Sequence, residues 1–361
     1  MDDIFKRSKK NPILKPNQKH TWESVKVYNP GGVFHEGKYH LFYRAVGKGE
    51  NWRSSIGYAV SKDGENFKRF PKPLLDRDPS NPHELRGFED PRITKIDDTF
   101  YMVYAIYDGN VPLLHISTSK DLRNWTKGQK ALKKFNFTKQ GGVFVRWKNG
   151  KAIETNIPKN PERKGWSKSG GIFPEKIKGK YWMLFNEFKI WFATSKDGIN
   201  WKTPKRKPFL GPRIDTNYFD NIFVEMGPPP IKTEKGWLVL YHGVNDAIQY
   251  NLGFILLDLK NPKKILYRSE KPIFGPKEKY ELSGIVDVIP GAVKLLEQNK
   301  EKELKELLKK AVKEGFMPQV TFTPSAILKD GKIRIYYGAG DQYICTAVAS
   351  LEDILATIPG S

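Results

Sequence analysis

The chain has 361 residues, of which 39% are hydrophobic and 13% aromatic, with 31 glycines and 25 prolines. It is long enough for a substantial core, and so many aromatics and turn formers favour strands over helices. The formal charge is +22, but the lysines are dispersed except around 299–313, which argues against a nucleic-acid groove.

Cys345 is the single cysteine, in the apolar run YICTAVA, so no disulfide framework can form within the chain and a buried inert thiol is expected. The first residues, MDDIFKRSKKNP, contain no apolar signal core, and no stretch approaches transmembrane length. The expectation is a cytoplasmic protein with neither membrane nor nucleic acid as partner.

Taken in chain order, the predicted elements repeat. EGKYHLFYRAVG (36–47) leads to SSIGYAVSKDGENFKRF (54–70); DDTFYMVYAIYDG (97–109) leads to LLHISTSKDLRNWTK (113–127); KGKYWMLFNEF (178–188) leads to IWFATSKDGINWKT (190–203). Each unit has a turn, an aromatic strand of period two, a second strand, and a Ser-Lys-Asp turn followed by an aromatic residue. Period two predicts strands buried on one face.

Two weaker copies follow, KTEKGWLVLYHGVN (232–245) with NLGFILLDLKNPKKI (251–265), and LKDGKIRIYYGAGD (328–341) with YICTAVASLEDI (343–354). Five hairpin-bearing units predict an all-β chain, a five-bladed β-propeller forming one catalytic domain over 1–361. Two separate sandwiches are the competing architecture. Between the copies, Leu304, Leu307, Leu308, Ala311 and Val312 fall at helical spacing in 297–316, with Gly315 placed to stop the helix. This inserted amphipathic helix packs on the domain, or forms a subunit contact in a homo-oligomer.

The chemistry-bearing residues are acids and cations where strands should be apolar. GFEDPRIT (87–94) sets Glu89 and Asp90 before Pro91 and Arg92. Pro91 biases Asp90 towards an extended conformation, and Arg92 could ion-pair with either acid. A structural salt bridge and a functional acid fit equally well. Glu225 ends an apolar strand before GPPP, Asn186 and Glu187 follow YWMLF, and Arg44, His242 and Asp341 sit in or after similar strands. The six histidines lack HExxH spacing, and there is no Walker loop, GxGxxG after a strand, or serine nucleophile elbow. No metal and no cofactor are expected. Carboxylates, arginines and aromatics are the inventory of a sugar-processing site.

GFEDPRIT, preceded by NPGGVFHEGKYHLFYRAVG and followed by GPPPIKTEKGWLVLYHG, resembles glycoside hydrolase family 130, as do FPEKIKGKYWML, LLDLKNPKKILYRSEKPIF and IYYGAGD. The resemblance spans about residues 10–350 and implies a five-bladed propeller that cleaves β-mannosidic bonds of small oligosaccharides with inversion. Most such proteins are phosphorylases, and some are hydrolases. The resemblance makes Asp90 the proton donor, acting in phosphorylases through a sugar hydroxyl. It sets Arg44, Arg92 and Asp341 in the sugar subsite, and Lys168 and His242 at phosphate-site positions; Glu89 and Asn186 are further candidates for binding the substrate.

Two departures favour water over phosphate. Phosphorylases of the family carry a His-Arg pair where this chain has Phe185 and Asn186, followed by Glu187, and a small residue where Glu225 stands. A phosphate dianion wants guanidinium forks, whereas an inverting hydrolase wants a carboxylate base across the ring from the acid. The expectation is therefore hydrolysis, with Glu225 or Glu187 as base. The alternative is phosphorolysis to mannose 1-phosphate, with inorganic phosphate as co-substrate. A non-catalytic sugar-binding propeller is a third reading.

Overall fold

The computed structural model describes residues 3–48, 53–78, 80–109, 111–133, 135, 143–148, 151–156, 166–203, 208–214, 216–245, 249–282, 295, 298, 300, 302–303, 306–307 and 319–360. β1 (Lys6–Arg7) pairs with the last strand of the chain, and the first unit contains β2 (Lys26–His35), β3 (Lys38–Val46), β4 (Ser54–Ser61) and β5 (Lys68–Arg69). The second contains β6 (Gly87–Ile96), β7 (Thr99–Tyr107), β8 (Pro112–Ser119) and β9 (Gln129–Lys130), and a separate hairpin follows in β10 (Val143–Lys148) and β11 (Lys151–Asn156). The third is β12 (Gly171–Ile172), β13 (Tyr181–Phe185), β14 (Trp191–Ser195) and β15 (Trp201–Lys202). The fourth runs through β16 (Phe223–Met226), β17 (Ile231–Thr233), β18 (Gly236–Val244), β19 (Gln249–Leu257) and β20 (Ile265–Arg268), then helix α1 (Lys279–Leu282). The fifth is β21 (Gln319–Lys329), β22 (Lys332–Ala339) and β23 (Tyr343–Ser350), ending in helix α2 (Leu351–Leu355).

The expected five-bladed β-propeller needs correction. The described strands do not form five separate four-stranded sheets in a closed ring. They form open sheets of nine, eight, four and two strands. The first two units merge because β4 and β6 meet in a short parallel pair, Ser54 opposite Gly87. Gly87 permits this: a Cβ there would stand 2.0 Å from the Ser54 carbonyl oxygen. Units four and five merge likewise, where Gln249 and Tyr250 of β19 pair in parallel with Gln319 and Val320 of β21.

The strands are also more deeply buried than period two predicts. All nine residues of β18 are buried. Apolar clusters lie on both faces of the middle strands, where units stack on their neighbours. Phe42, Tyr58, Phe88 and Met102 pack units one and two together, and Phe173, Leu184, Val239 and Tyr241 join units three and four. Val27, Leu41, Tyr336 and Ile344 pack unit one against unit five. Cys345 is buried as expected, and burial pushes its thiol pKa up.

The repeated Ser-Lys-Asp turns are one structure built three times. Asp63 Oδ1 accepts from the Glu65 and Asn66 N–H groups, Asp121 Oδ1 from those of Arg123 and Asn124, and Asp197 Oδ1 from those of Ile199 and Asn200. The residue after each aspartate is left-handed: Gly64 (φ 78°), Gly198 (φ 79°) and, unusually, Leu122 (φ 65°). The buried Leu122 side chain packs in the cluster between units one and two.

Most of the predicted 297–316 helix, including Leu304, Leu308, Ala311, Val312 and Gly315, lies outside the described residues. Lys302, Glu303, Glu306 and Leu307 are helical. Among the described residues no helix is long and apolar enough to cross a membrane.

Burial acts to raise the Asp197 pKa, but hydrogen bonds from its own turn outweigh it and hold the carboxyl below its ordinary range. Its contribution is therefore present above the unfolded carboxylate pKa of about 4 and is lost as pH falls below it. Asp197→Ala should cost about 1 kcal/mol at pH 7, as for a lost side-chain cap, and the gap to wild type should close below about pH 4. Denaturant unfolding at both pH values measures it.

Candidate active site

β6 carries GFEDPRIT, and its pairing with β7 shifts register between Glu89 and Arg92. Asp90 sits in that bulge at φ 51°. The following proline predicts an extended Asp90. The bulge instead demands a left-handed residue, and aspartate tolerates that region better than most. The same device recurs in β2, where Asn29 precedes Pro30 at φ 46° and the register shifts between Tyr28 and Gly31. In β21 the shift spans Thr323 and Pro324.

The ion pairs differ from those expected. Arg92 does not pair with either acid side chain. Its guanidinium, fully buried, donates to the carbonyls of Gly227 (2.7 Å), Met226 (2.8 Å) and Asp90 (3.0 Å). Burial lowers its pKa to about 10, with Asp90 and Glu225 opposing the shift. Arg44 takes the ionic role instead, 2.7 Å from Glu89 Oε1 and 3.5 Å from Asp90 Oδ1. Lys168 lies 3.1 Å from Glu89 Oε2 and 3.8 Å from Asp90 Oδ2. Asn29 Nδ2 donates to Asp90 Oδ1 at 2.9 Å. Burial alone would raise the Asp90 pKa. Arg44, Lys168, the Asn29 hydrogen bond and Arg92 together hold it below the ordinary carboxylate value.

A second carboxylate group faces Lys168. Ser169 Oγ donates to Glu225 Oε1 (2.6 Å), and Trp166 Nε1 donates to Glu187 Oε1 (2.5 Å). Burial and then the Glu187 charge push Glu225 up to about 8, although Lys168, the Ser169 bond and Arg92 pull the other way. Glu225 is thus protonated at neutral pH while Asp90 is ionised. Burial acts to lower the Lys168 pKa, but Glu89, Glu187, Asp90 and Glu225 raise it well above the ordinary value.

Asn186 is spent on structure. It is buried at φ 92° in the β13–β14 connection, its Oδ1 accepts from the Lys168 N–H (3.2 Å), and its Nδ2 donates to the Trp166 carbonyl (3.4 Å). It therefore anchors the segment that presents Trp166, Lys168 and Ser169.

His242 stands opposite Glu225 across β16 and β18. The Thr323 N–H donates to its Nε2 at 2.7 Å, and burial followed by the Arg92 charge pushes its pKa down to about 3. The ring is neutral, so the accepting Nε2 leaves the proton on Nδ1. Nδ1 is buried with no hydrogen-bond partner among the described residues.

Asp341, at φ 50°, is close enough to raise the pKa values of Arg44, Tyr28 and Tyr250. The structure therefore gathers Arg44, Glu89, Asp90, Lys168, Glu187, Glu225 and Asp341 into one electrostatic neighbourhood, with Arg92, Asn186 and His242 as its backing. Asn29, Trp166, Ser169 and Tyr250 belong to the same neighbourhood and escape the sequence reading. For Asn29 a signal exists: NPG at 29–31 repeats the form of DPR at 90–92 and TPS at 323–325.

Arg92→Met should destabilise by about 3 kcal/mol, because it leaves three buried carbonyls unpaired at roughly 1–3 kcal/mol each before any relaxation. Chemical denaturation of the purified variant measures this.

A family model described as beta-1,4-mannooligosaccharide phosphorylase, glycoside hydrolase family 130, matches residues 2–301. A 1,2-beta-oligomannan phosphorylase of Thermoanaerobacter sp. (strain X514) is 33% identical over 359 residues, covering 97% of this chain and 98% of the relative. A beta-1,2-mannobiose phosphorylase of the same organism is 33% identical over 363 residues, covering 96% and 98%. A solved structure superposes with a TM-score of 0.75 at 26% identity, covering 98% of this chain and 95% of the other. It is described as showing that the family of mannoside phosphorylases contains glycoside hydrolases that target beta-1,2 mannosidic linkages in Candida mannan. The chain belongs to glycoside hydrolase family 130.

Proposed function

We propose that this protein is a β-mannoside phosphorylase that splits β-1,2-linked manno-oligosaccharides with inorganic phosphate, releasing mannose 1-phosphate. Its relatives at 33% identity are phosphorylases of β-1,2-mannosides along their whole length. The geometric observation that carries the reading is the Lys168 ammonium, 3.1 Å from Glu89 and 3.8 Å from Asp90, beside a Glu225 that burial and Glu187 push up to about 8. A neutral carboxyl and the Lys168 ammonium suit an incoming phosphate. This revises the expectation of hydrolysis, in which Glu225 or Glu187 serves as the carboxylate base. A base with a pKa of about 8 is mostly protonated at pH 7.

A phosphate oxygen attacks the anomeric carbon from the face opposite the glycosidic bond. That bond breaks as Asp90 delivers its proton to the leaving oxygen through a sugar hydroxyl. The hydrogen phosphate proton then restores Asp90. In the empty site Asp90 is ionised because Arg44 and Lys168 face it. A phosphate that engages Lys168 would weaken that pull and let Asp90 take up the proton it must give. Arg44, Glu89 and Asp341 line the mannosyl subsite, while Arg92 and Asn186 position the groups around it.

One observation favours a second reading, hydrolysis. Glu187 lies near enough to Glu225 to raise its pKa, which puts two acids beside the cation that a phosphate would use, and the solved neighbour at 26% identity is described with glycoside hydrolases. An ionised glutamate there could activate water.

Incubation with β-1,2-mannobiose, with and without phosphate, distinguishes them. Phosphate-dependent mannose 1-phosphate is expected, and equal release of free mannose without phosphate overturns the proposal. Asp90→Asn should lower kcat/KM by about 10³-fold, within the usual contribution of general acid catalysis.

The pH dependence is a second check. As pH rises through about 8, Glu225 ionises, so the KM for phosphate should climb, and Glu225→Gln should abolish that climb while retaining activity. A water mechanism with Glu225 as base gives the opposite pattern: activity grows through the same range and Glu225→Gln is inactive.

A further inference from the structure

Oδ1 and Oδ2 of Asp90 have different surroundings. Oδ1 accepts from Asn29 Nδ2 at 2.9 Å and lies 3.5 Å from Arg44, whereas Oδ2 faces Lys168, 3.8 Å away. Asn29 and Asp90 are 61 positions apart, and both are 4% exposed. They occupy equivalent bulges in β2 and β6, each left-handed before a proline. The two strands touch through backbone there: a Cβ on Gly31 would come 2.4 Å from the Pro91 carbonyl oxygen.

We infer that Asn29 is the positioning residue for Asp90, occupying Oδ1 so that proton transfer takes place at Oδ2, and that Gly338 on β22 lacks a side chain in order to hold Asn29 in place. An ionised carboxylate only accepts hydrogen bonds, so the amide must turn its NH₂ to Asp90. Its Oδ1 then points away and has no hydrogen-bond partner among the described residues. It rests against Gly338, where an added Cβ would meet it at 2.1 Å and the Asn29 backbone nitrogen at 2.9 Å. Any side chain at 338 would press on the amide that orients the acid. This explains a glycine in the middle of YYGAGD by a contact one unit away. It rests on the reading of Asp90 as the acid.

The test uses the full chain and β-1,2-mannobiose with phosphate. Asn29→Gly keeps the left-handed backbone accessible and removes only the amide. It should lower kcat by about 10- to 100-fold, the cost expected when a reacting group drifts by a fraction of an ångström to about 1 Å, with KM changed by less than about threefold. The pH limb assigned to Asp90 should move up, because a hydrogen bond to its ionised form is gone.

Gly338→Ala should show the same kcat loss and pH shift in milder form. Because the closer of the two contacts at 338 is with the Asn29 amide (2.1 Å, against 2.9 Å to the backbone nitrogen), most of the Gly338→Ala effect should vanish once that amide is gone, and the loss in the double variant should fall well short of the product of the two single losses. Wild-type kcat and pH profile in Asn29→Gly, or multiplied losses in the double variant, overturn the inference. If Asn29→Gly fails to fold, Asn29→Asp serves: it keeps the shape but faces Asp90 with a second acid, and a wild-type profile there is equally fatal. Activity that survives in Asp90→Asn sinks the reading of Asp90 itself. An inactive Asp90→Asn beside an unaffected Asn29→Gly sinks only the positioning role.

Discussion

The site is held together by one buried guanidinium. Arg92 spends its donors on three backbone carbonyls, one at Asp90 and two at Met226 and Gly227, directly after Glu225. The acid on β6 and the carboxyl on β16 are thereby fixed to a common group, although Arg92 and Gly227 are 135 positions apart. Arginine suits this task because its rigid fork can serve several acceptors at once and stays charged when buried. Even with burial lowering its pKa to about 10, it is cationic at neutral pH.

Around that fixture the charges divide into two environments. On one side Arg44 and Lys168 outweigh burial and keep Asp90 ionised. On the other, burial and Glu187 outweigh Lys168 and leave Glu225 protonated. Two carboxyls with pKa values pushed apart are what acid–base chemistry at neutral pH requires. Lys168 faces both groups, so an anion that takes up its charge alters both pKa values at once. A phosphate ion would do this, and a neutral water would not.

The repeats, the Ser-Lys-Asp turns and the strands are legible in the sequence because they depend on local rules: period two, turn chemistry and left-handed tolerance. Lys168 is picked out only by the family resemblance, whereas Asp90, Arg44, Glu187, Glu225 and Asp341 stand out as charged residues in or beside apolar strand contexts. Their pairings do not, because those join residues from different units. Sequence proximity suggests Arg92 as the partner of its neighbouring acids, yet Arg44, 46 positions from Asp90, and the still more distant Lys168 hold that place. Pro91 suggests an extended Asp90, yet the bulge makes it left-handed. Asn186 groups with the sugar ligands by its place in the chain, but its amide is occupied with backbone.

Local pattern is enough to set the β class, the five repeated units, the turns that end them, the family and the residues worth suspecting. Such patterns span a few residues, and the chain carries them wherever it folds. How the units join is a tertiary matter. Gly87 lets two backbones approach, and the resulting open sheets replace the closed propeller expected from the repeats. The protonation states are tertiary too. The pKa values of Asp90, Glu225 and His242 depend on burial and on charges brought from other units, and neither quantity exists until the chain is folded.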